Sequence, residues 1–221
     1  MDAAFYTDTL YPFQDRVLGV IVALETEFYL TRGTAASRGY LSHRFSDDLD
    51  LFVNDRPEFG LWSARIVTAL SGVEGWRVEV LLNDERFTRF VVADSDVELK
   101  VALINDVPAH TGDLRDHPVL GRLDAPENIL ANKVTAALDR SEPKDLADIW
   151  GFCQLGGLSL DSALGDADSK MVGVFPADLA RVLLSVSRED YDLIRWQQAP
   201  GYQRFRDDLF KLGESLLLLA E

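Results

Sequence analysis

Asp48 and Asp50 are separated by one residue and lie inside an apolar run, and this spacing suggests chemistry. On a β-strand, both carboxylates would project from one face while Leu49 and Leu51 point to the other. Neighbouring carboxylates repel each other unless a positive charge neutralises them. Mg²⁺ and Mn²⁺ prefer oxygen ligands, so we expect Asp48 and Asp50 to hold one of these ions. The alternative is a pair of surface aspartates at a strand edge.

A glycine turn, Gly33-Thr34, follows the short apolar run at residues 28–30. A glycine between a strand and a helix lets the backbone approach a ligand closely, and the amide groups that follow can bind a phosphate. The alternative is an ordinary turn glycine. Together with Asp48 and Asp50, the turn predicts one unit that presents phosphate-binding amides beside a metal-binding acid pair.

The segment that contains both features resembles the first motif of the DNA-polymerase-beta-like nucleotidyltransferases. More narrowly, it resembles the AbiEii/AbiGii-type toxins of abortive-infection and toxin–antitoxin systems. The matching residues are Gly33, Thr34, Ala35, Tyr40, Leu41, His43, Arg44, Ser46, Asp48, Leu49, Asp50 and Phe52. The resemblance implies catalysis at Asp48 and Asp50 with Mg²⁺ or Mn²⁺, and a nucleoside triphosphate as substrate. It also implies a set of nucleotide-binding residues, namely Gly33, Thr34, Arg44, Ser46 and Lys133.

Two later motifs of the family have counterparts on predicted helices. Lys133 matches the family's lysine, and Asp145 and Asp148 match its Asp-x-x-Asp, whose two acids share one side of a helix. The resemblance implies that Lys133 neutralises triphosphate charge. The resemblance also implies that Asp145 either orients a base or accepts the proton of an attacking hydroxyl. The alternative is a set of solvated charges on two helix faces. We expect His43, a lone histidine, to be structural.

The sequence departs from the family pattern at two positions. Ala102 stands where a third aspartate is expected, and Glu98 lies about 13 Å away along a strand, too far to replace it. Either two carboxylates suffice, or the metal site is weakened, or another acid such as Asp106 contributes. Arg32 stands where family members usually have glycine. A large cation there could crowd the phosphate turn, or its planar fork could bind a phosphate.

The periodicity predicts an α/β fold, with a polymerase-beta-like mixed sheet and helices in residues 1–123 and a helical region in residues 124–221. The predicted elements of the first part are helices at 11–27, 34–40 and 59–70, and strands at 28–31, 49–53, 76–82, 86–93 and 97–104. The second part has predicted helices that begin at Pro126 and span 144–155, 176–187 and 203–219, with a break at Ser141-Glu142-Pro143. The polar segment 161–170 has no clear pattern.

Composition limits the classes of function. The 221-residue chain has a formal net charge of −15, which disfavours non-specific binding to nucleic acid. One cysteine excludes an intrachain disulfide. We find no apolar run of membrane-spanning length and no signal peptide, and we expect a cytoplasmic protein.

These observations favour an enzyme that transfers a nucleoside monophosphate from a nucleoside triphosphate to a hydroxyl acceptor. The family resemblance implies tRNA as the acceptor and a cognate antitoxin as partner, and phosphoryl transfer is an open variant. A second hypothesis is a catalytically weakened protein that binds a nucleotide or a partner on the same scaffold, as Ala102 and Arg32 suggest. A third is a nucleotidyltransferase for a small cationic acceptor such as an aminoglycoside, which suits the acidic composition.

Overall fold

The structure is a computed structural model that describes residues 3–140, 142–168 and 175–218. The chain forms two compact units. The first comprises the described residues up to Ala35 together with Ser46–Asp124, and the second comprises Ala36–Phe45 together with the described residues from Ala125 onward. The chain therefore leaves the first unit directly after the glycine turn and returns to it just before Asp48.

The helices of the first unit lie in its N-terminal half. They are α1 (Ala3–Phe5), a π-helical turn at Tyr6–Leu10, α2 (Tyr11–Val22), the short α3 (Arg32–Thr34) and α4 (Phe59–Ser71). Helix α2 buries Phe13, Val17 and Ile21, which recur every four residues and form its apolar face. The predicted end of this helix at residue 27 is wrong. It ends at Val22 because tight turns follow, with the Thr26 amide donating to the Leu24 carbonyl.

The strands of the described residues form one mixed sheet. Their bounds are β1 (Tyr29–Leu30), β2 (Leu49–Asn54), β3 (Trp76–Asn83), β4 (Phe87–Asp94), β5 (Val97–Asp106), β6 (Arg115–His117) and β7 (Gly121–Leu123). They are ordered β3-β4-β5-β2-β1-β7-β6 across the sheet. Strand β2 runs parallel to β5 and antiparallel to β1, and β1 runs parallel to β7. The predicted mixed sheet is confirmed. Strands β6 and β7 were not predicted because three residues are too few for an alternating pattern.

Alternation along β5 separates a buried face of the sheet from an exposed one. Leu99, Val101 and Leu103 are buried, whereas Glu98, before Leu99, and Lys100, between Leu99 and Val101, are exposed. Residue Ala102 is paired in register with Asp50 of β2, so both project from the face opposite to Val101 and Leu103. Asp50 therefore lies on the face of the sheet opposite to Val101 and Leu103, and Asp48 directly precedes this strand.

The second unit is helical, as the sequence predicts. Its helices are α5 (Pro126–Arg140), α6 (Pro143–Gln154), α7 (Leu160–Asp168), α8 (Pro176–Leu184), α9 (Arg188–Leu193) and α10 (Tyr202–Leu218), together with a π-helical segment at Ala35–Leu41 that begins in the first unit. Trp196 packs edge-on against Trp150 and Phe205, with ring centroids 6.0 and 5.3 Å apart. Ser141, residues 169–170 and Leu219, on which sequence predictions fall, lie outside the described residues. None of the described helices is long and apolar enough to cross a bilayer.

Candidate active site

Hydrogen bonds connect the glycine turn at Gly33-Thr34 to the residues just before strand β2. The buried Thr34 hydroxyl is within hydrogen-bond distance of the main-chain oxygen of Asp48 and lies 3.0 Å from the Ser46 hydroxyl. A carbonyl can only accept, so Thr34 donates to Asp48 and accepts from Ser46. The structure thus brings Gly33, Thr34 and Ser46, three of the predicted nucleotide-binding residues, next to Asp48.

A buried carboxylate holds the end of β1 from which this turn begins. Asp124 is fully buried and accepts hydrogen bonds from the Thr31 hydroxyl and from His110, whose Nε2 lies 2.9 Å away. The main-chain amide of Thr31 also donates to the Asp50 carbonyl at 2.9 Å. The turn therefore starts from a backbone fixed on both sides. Sequence reasoning missed this contribution, since Thr31 and Asp124 are 93 positions apart and no local pattern connects them.

The two predicted metal ligands lie at the solvent boundary. Asp48 is exposed and directly precedes the first residue of β2, while the side chain of Asp50, within β2, is 21% exposed. Leu49 and Leu51 are buried, as the alternation predicts. Burial of these leucines anchors the backbone, so the carboxylates are carried on a fixed strand.

The donor set suits an ion that arrives with its substrate. Within residues 3–140, 142–168 and 175–218, no group of three or more His, Cys, Asp or Glu side chains is arranged to hold a metal. The position beside Asp50 on β5 is Ala102, whose methyl group supplies no ligand. Mg²⁺ commonly takes one or two carboxylates and completes its coordination with water and substrate phosphates. Asp48 and Asp50 fit that pattern, and they do not form a closed site of protein ligands.

A cation also lies at this site. The Nη1 atom of Arg32 is 3.8 Å from Oδ1 of Asp50, and its guanidinium lies over the Phe52 ring, 5.0 Å from the centroid. Arg32 has φ of 55°, the left-handed conformation that favours glycine. The residue therefore keeps the backbone shape expected of a glycine while it adds a positive charge beside the acid pair.

The second unit contains the other predicted catalytic residues, in a cluster of buried charges. Asp148 receives Nε and Nη2 of Arg44 at 2.7 Å each, the Lys133 ammonium at 2.7 Å and Nε2 of His43 at 2.9 Å. Lys133 also pairs with Asp145 at 2.8 Å. We call these five residues the buried ionic network. The partly exposed Arg140 adds a hydrogen bond to Asp145 at 2.9 Å.

The protonation of the buried ionic network follows from its contacts. Burial alone would raise the pKa of Asp148, but the charges of Arg44 and Lys133 and the hydrogen bonds hold that pKa well below its usual value. Burial likewise opposes ionisation of Asp145, yet Lys133 and Arg140 lower its pKa. Burial lowers the pKa of His43, so its ring is neutral and Nε2 donates to Asp148. Nδ1 of His43 has no hydrogen-bond partner among the described residues.

The buried ionic network includes charged residues that the sequence places on predicted helices. The alternative of solvated charges is wrong for Lys133 and Asp145, which are 4% and 0% exposed. The donors of Arg44 are directed at Asp148 and at the carbonyl of Phe45. The catalytic roles of Lys133 and Asp145 and the nucleotide contact of Arg44 stay predictions. The expected structural role of His43 agrees with its full burial against Asp148.

Comparison with known proteins then decides the family. A sequence profile described as "Nucleotidyl transferase AbiEii toxin, Type IV TA system" matches residues 16–215. The chain belongs to this AbiEii toxin family. The resemblance drawn from the first motif is thus confirmed across almost the whole sequence, and the family's nucleotidyltransferases belong to toxin–antitoxin systems, which imply an antitoxin partner.

Solved structures agree on the fold of this AbiEii-family protein. The MenT4 nucleotidyltransferase toxin from Mycobacterium tuberculosis H37Rv superposes with a TM-score of 0.66 at 16% identity, over 94% of this chain and 82% of that one. JHP933 from Helicobacter pylori gives a TM-score of 0.62 at 20% identity, over 98% of this chain and 92% of that one. No curated protein matches the sequence. At these identities the likeness shows the fold, which is the nucleotidyltransferase fold predicted from the sequence.

Proposed function

We propose that this AbiEii-family protein transfers a nucleoside monophosphate from a nucleoside triphosphate to a hydroxyl group of an RNA such as tRNA. We also propose that its cognate antitoxin restrains this activity in the cytoplasm. The observation that carries the proposal is the hydrogen bond from Thr34 to the Asp48 backbone, because it joins the phosphate turn to the acid pair. A nucleotide on the turn would then place its phosphates beside Asp48 and Asp50.

The residues of the first unit supply binding and orientation. The main-chain amides of Gly33 and Thr34 would bind triphosphate oxygens, with Ser46 holding Thr34 in place. Asp48 and Asp50 would hold Mg²⁺ or Mn²⁺, which when bound would neutralise phosphate charge as a Lewis acid. Fixed donors and charges of this kind stabilise the transition state because they need no reorganisation during the reaction.

The reaction exchanges one phosphate ester bond for another. The acceptor oxygen forms a bond to the α-phosphorus while the bond from that phosphorus to the β-bridging oxygen breaks. Pyrophosphate leaves with the electron pair, and the hydroxyl proton passes to solvent water.

Two further candidates each have one supporting observation. Ala102 lies beside Asp50 where a third carboxylate is expected, which favours a weakened site that binds a nucleotide or a partner without turnover. The net charge of −15 favours a cationic acceptor of low molecular mass, such as an aminoglycoside, over an RNA.

Transfer of label from an α-³²P-labelled nucleoside triphosphate to total tRNA with Mg²⁺ tests the proposal. Asp48→Asn should lower the rate on the order of a hundredfold or more, because the carboxylate charge that holds the ion is lost. Asp47→Asn is the matched control. It exchanges one carboxylate oxygen of the adjacent residue for an amide nitrogen, as Asp48→Asn does. The remaining side-chain oxygen can still accept a hydrogen bond from the Tyr6 hydroxyl, which lies 2.8 Å from Oδ1 of Asp47 in the wild type. This control should label as the wild type does.

Each alternative has its own result. Retained turnover in Asp48→Asn would reject the metal assignment. Calorimetric binding of a triphosphate with Mg²⁺ but no labelled product would support the weakened-site candidate. Label on kanamycin and none on tRNA would support the small-acceptor candidate.

A further inference from the structure

Arg32 is a departure from the family pattern that the proposed function does not use. It has φ of 55°, a backbone conformation that side chains with a Cβ adopt only under strain. Strained residues persist where the surroundings hold them, and they concentrate at functional sites. A glycine would occupy this position without strain, so the side chain of Arg32 is the feature that requires an explanation.

The guanidinium of Arg32 is placed at the acid pair without being locked to it. Its Nη1 lies 3.8 Å from the Asp50 carboxylate, which is longer than a hydrogen bond, and the side chain is 46% exposed. The Phe52 ring, 5.0 Å from the guanidinium carbon, supports it from one side. A planar fork of donors held in this way can still turn its edge to phosphate oxygens.

The neighbouring strand shows what this cation replaces. Ala102 of β5 is in register with Asp50, at the position of the expected third carboxylate. Enzymes that transfer phosphate groups can use two metal ions, and a second ion here would need a further oxygen ligand such as the expected third carboxylate. Three carboxylates with two divalent ions have the same formal charge as two carboxylates with one divalent ion and one guanidinium. The substitutions at positions 32 and 102 therefore compensate each other electrostatically.

We propose that Arg32 is a triphosphate ligand that takes the place of a second metal ion, beside a single divalent ion held by Asp48 and Asp50. The inference rests on the proposed function, and it adds the Arg32 guanidinium as the second positive charge at Asp48 and Asp50. Arg32 stabilises the negative charge of the bound triphosphate and of the leaving pyrophosphate. The protein then requires one divalent ion per bound nucleotide.

Two binding measurements test this role without turnover. Calorimetry with α,β-methylene analogues of ATP, GTP, CTP and UTP in saturating Mg²⁺ gives the nucleotide affinity, and electron paramagnetic resonance with Mn²⁺ gives the number of ions bound with the analogue. Arg32→Met keeps an unbranched, flexible side chain and removes the charge. We expect it to weaken binding of the preferred analogue on the order of tenfold to a hundredfold, as for a lost charge-assisted hydrogen bond. The wild type should bind one Mn²⁺.

Arg77→Met is the matched control. Arg77 is also an exposed arginine of the first unit with a carboxylate at a comparable distance, 3.5 Å to Glu98, and it lies on β3. We expect this variant to bind the analogue within about twofold of the wild type, since an exposed pair away from the acid pair contributes little. Both variants should have unfolding midpoints close to that of the wild type.

The double variant Arg32→Met/Ala102→Asp restores the family's carboxylate. We expect it to recover analogue affinity relative to Arg32→Met and to raise the Mn²⁺ count from one to two. Wild-type affinity in Arg32→Met would overturn the role of Arg32 and leave the proposed function standing. Tighter binding of Mn²⁺ or analogue in Arg32→Met would also overturn it, because the guanidinium would then be a competitor for Asp50. Absence of any analogue binding by the wild type would instead overturn the proposed function.

Discussion

Asp148 is fully buried, and its charge is balanced by cations that come from separate parts of the second unit. Arg44 precedes the acid by more than a hundred positions, and Lys133 lies on the preceding helix α5. Desolvation of such charges is costly, and their mutual contacts offset the cost only when every partner is present. The five residues of the buried ionic network therefore act as one unit in stability.

Removal of the central acid should show this dependence. We expect Asp148→Asn to lower the free energy of unfolding by about 3–5 kcal/mol, because Arg44 and Lys133 would stay buried with a charge uncompensated. Urea denaturation followed by circular dichroism measures the change. The control Asp178→Asn removes the same charge from an exposed pair with Arg181, and it should shift stability by less than about 0.5 kcal/mol. Equal losses in both variants would contradict the network's importance.

His43 gives the network a dependence on pH. Its pKa in the folded protein is lowered by burial, whereas in the unfolded chain it is about 6.5. Below that pH the unfolded chain binds a proton that the folded one does not, so the free energy of unfolding falls as the pH decreases through about 6.5. Asp145 and Asp148, whose pKa values are also lowered, contribute in the same direction only below about pH 4.

His43→Gln should remove the upper part of this dependence. The difference in unfolding free energy between wild type and variant should be constant above about pH 7 and should shrink between about pH 6.5 and 5. Urea titrations at half-unit steps of pH would measure it. Parallel curves for the two proteins over this range would mean that His43 titrates alike in both states.

Residue chemistry was predictable from the sequence where it is local. The turn at Gly33 and the strand that carries Asp50 could be predicted because turn position and strand alternation are properties of a few adjacent residues, whereas the roles of Gly33, Asp48 and Asp50 stay predictions. The support from Asp124 to Thr31 was not predictable, since it depends on which strands become neighbours. Burial of Lys133 was not predictable either, because a charged residue on a helix is solvated unless the fold supplies its partners.

At the scale of elements, the segment Ala36–Phe45 is the least expected part of the fold, because it packs in the helical unit although both ends of the chain around it lie in the sheet unit. Main-chain bonds hold it there. The amide of Phe45 donates to the Arg195 carbonyl at 2.8 Å, and the amide of Gln197 donates to the His43 carbonyl at 2.9 Å. Helix α6 approaches closely at Gly151, where an added Cβ would lie 2.8 Å from Leu41 and 3.3 Å from the His43 ring.

Gly151→Ala should therefore disturb this segment. We expect a loss of about 1–3 kcal/mol in the free energy of unfolding, as for overpacking of a fitted contact. Gly165→Ala on α7 is the control, since no atom lies within 4 Å of its added Cβ. Better helix propensity should make that variant equal to or more stable than the wild type. A neutral Gly151→Ala would contradict the close packing of α6 on Leu41 and His43.

Element prediction succeeded for long periodic segments and failed for short ones. Strands β4 and β5 and helix α5 follow clear alternation or helical spacing, and their positions agree with the prediction. The six-residue α9 was missed because it is shorter than two helical turns and depends on a capping box between Ser187 and Asp190. The inclusion of residues 36–45 in the second unit depends on long-range packing, which no local pattern reveals.

At the scale of the whole molecule, the charge distribution and the family must be reconciled. The chain has a net charge of −15, yet its family consists of nucleotidyltransferase toxins, whose nucleotide substrates are anions. An acidic protein can bind an anionic nucleotide only where local cations and a divalent ion lie close to the bound triphosphate. The proposed activity therefore depends on one place in the first unit, where the turn at Gly33, the guanidinium of Arg32 and the acid pair lie together.

A crystal structure of the full chain with a non-hydrolysable triphosphate and Mn²⁺ tests this most directly, with the ion located by its anomalous scattering. We predict one Mn²⁺ peak bound by carboxylate oxygens of Asp48 and Asp50 and by phosphate oxygens, with the triphosphate on the amides of Gly33 and Thr34. A triphosphate bound elsewhere, or an ion held by other residues while Asp48 and Asp50 contact only solvent, would contradict the account.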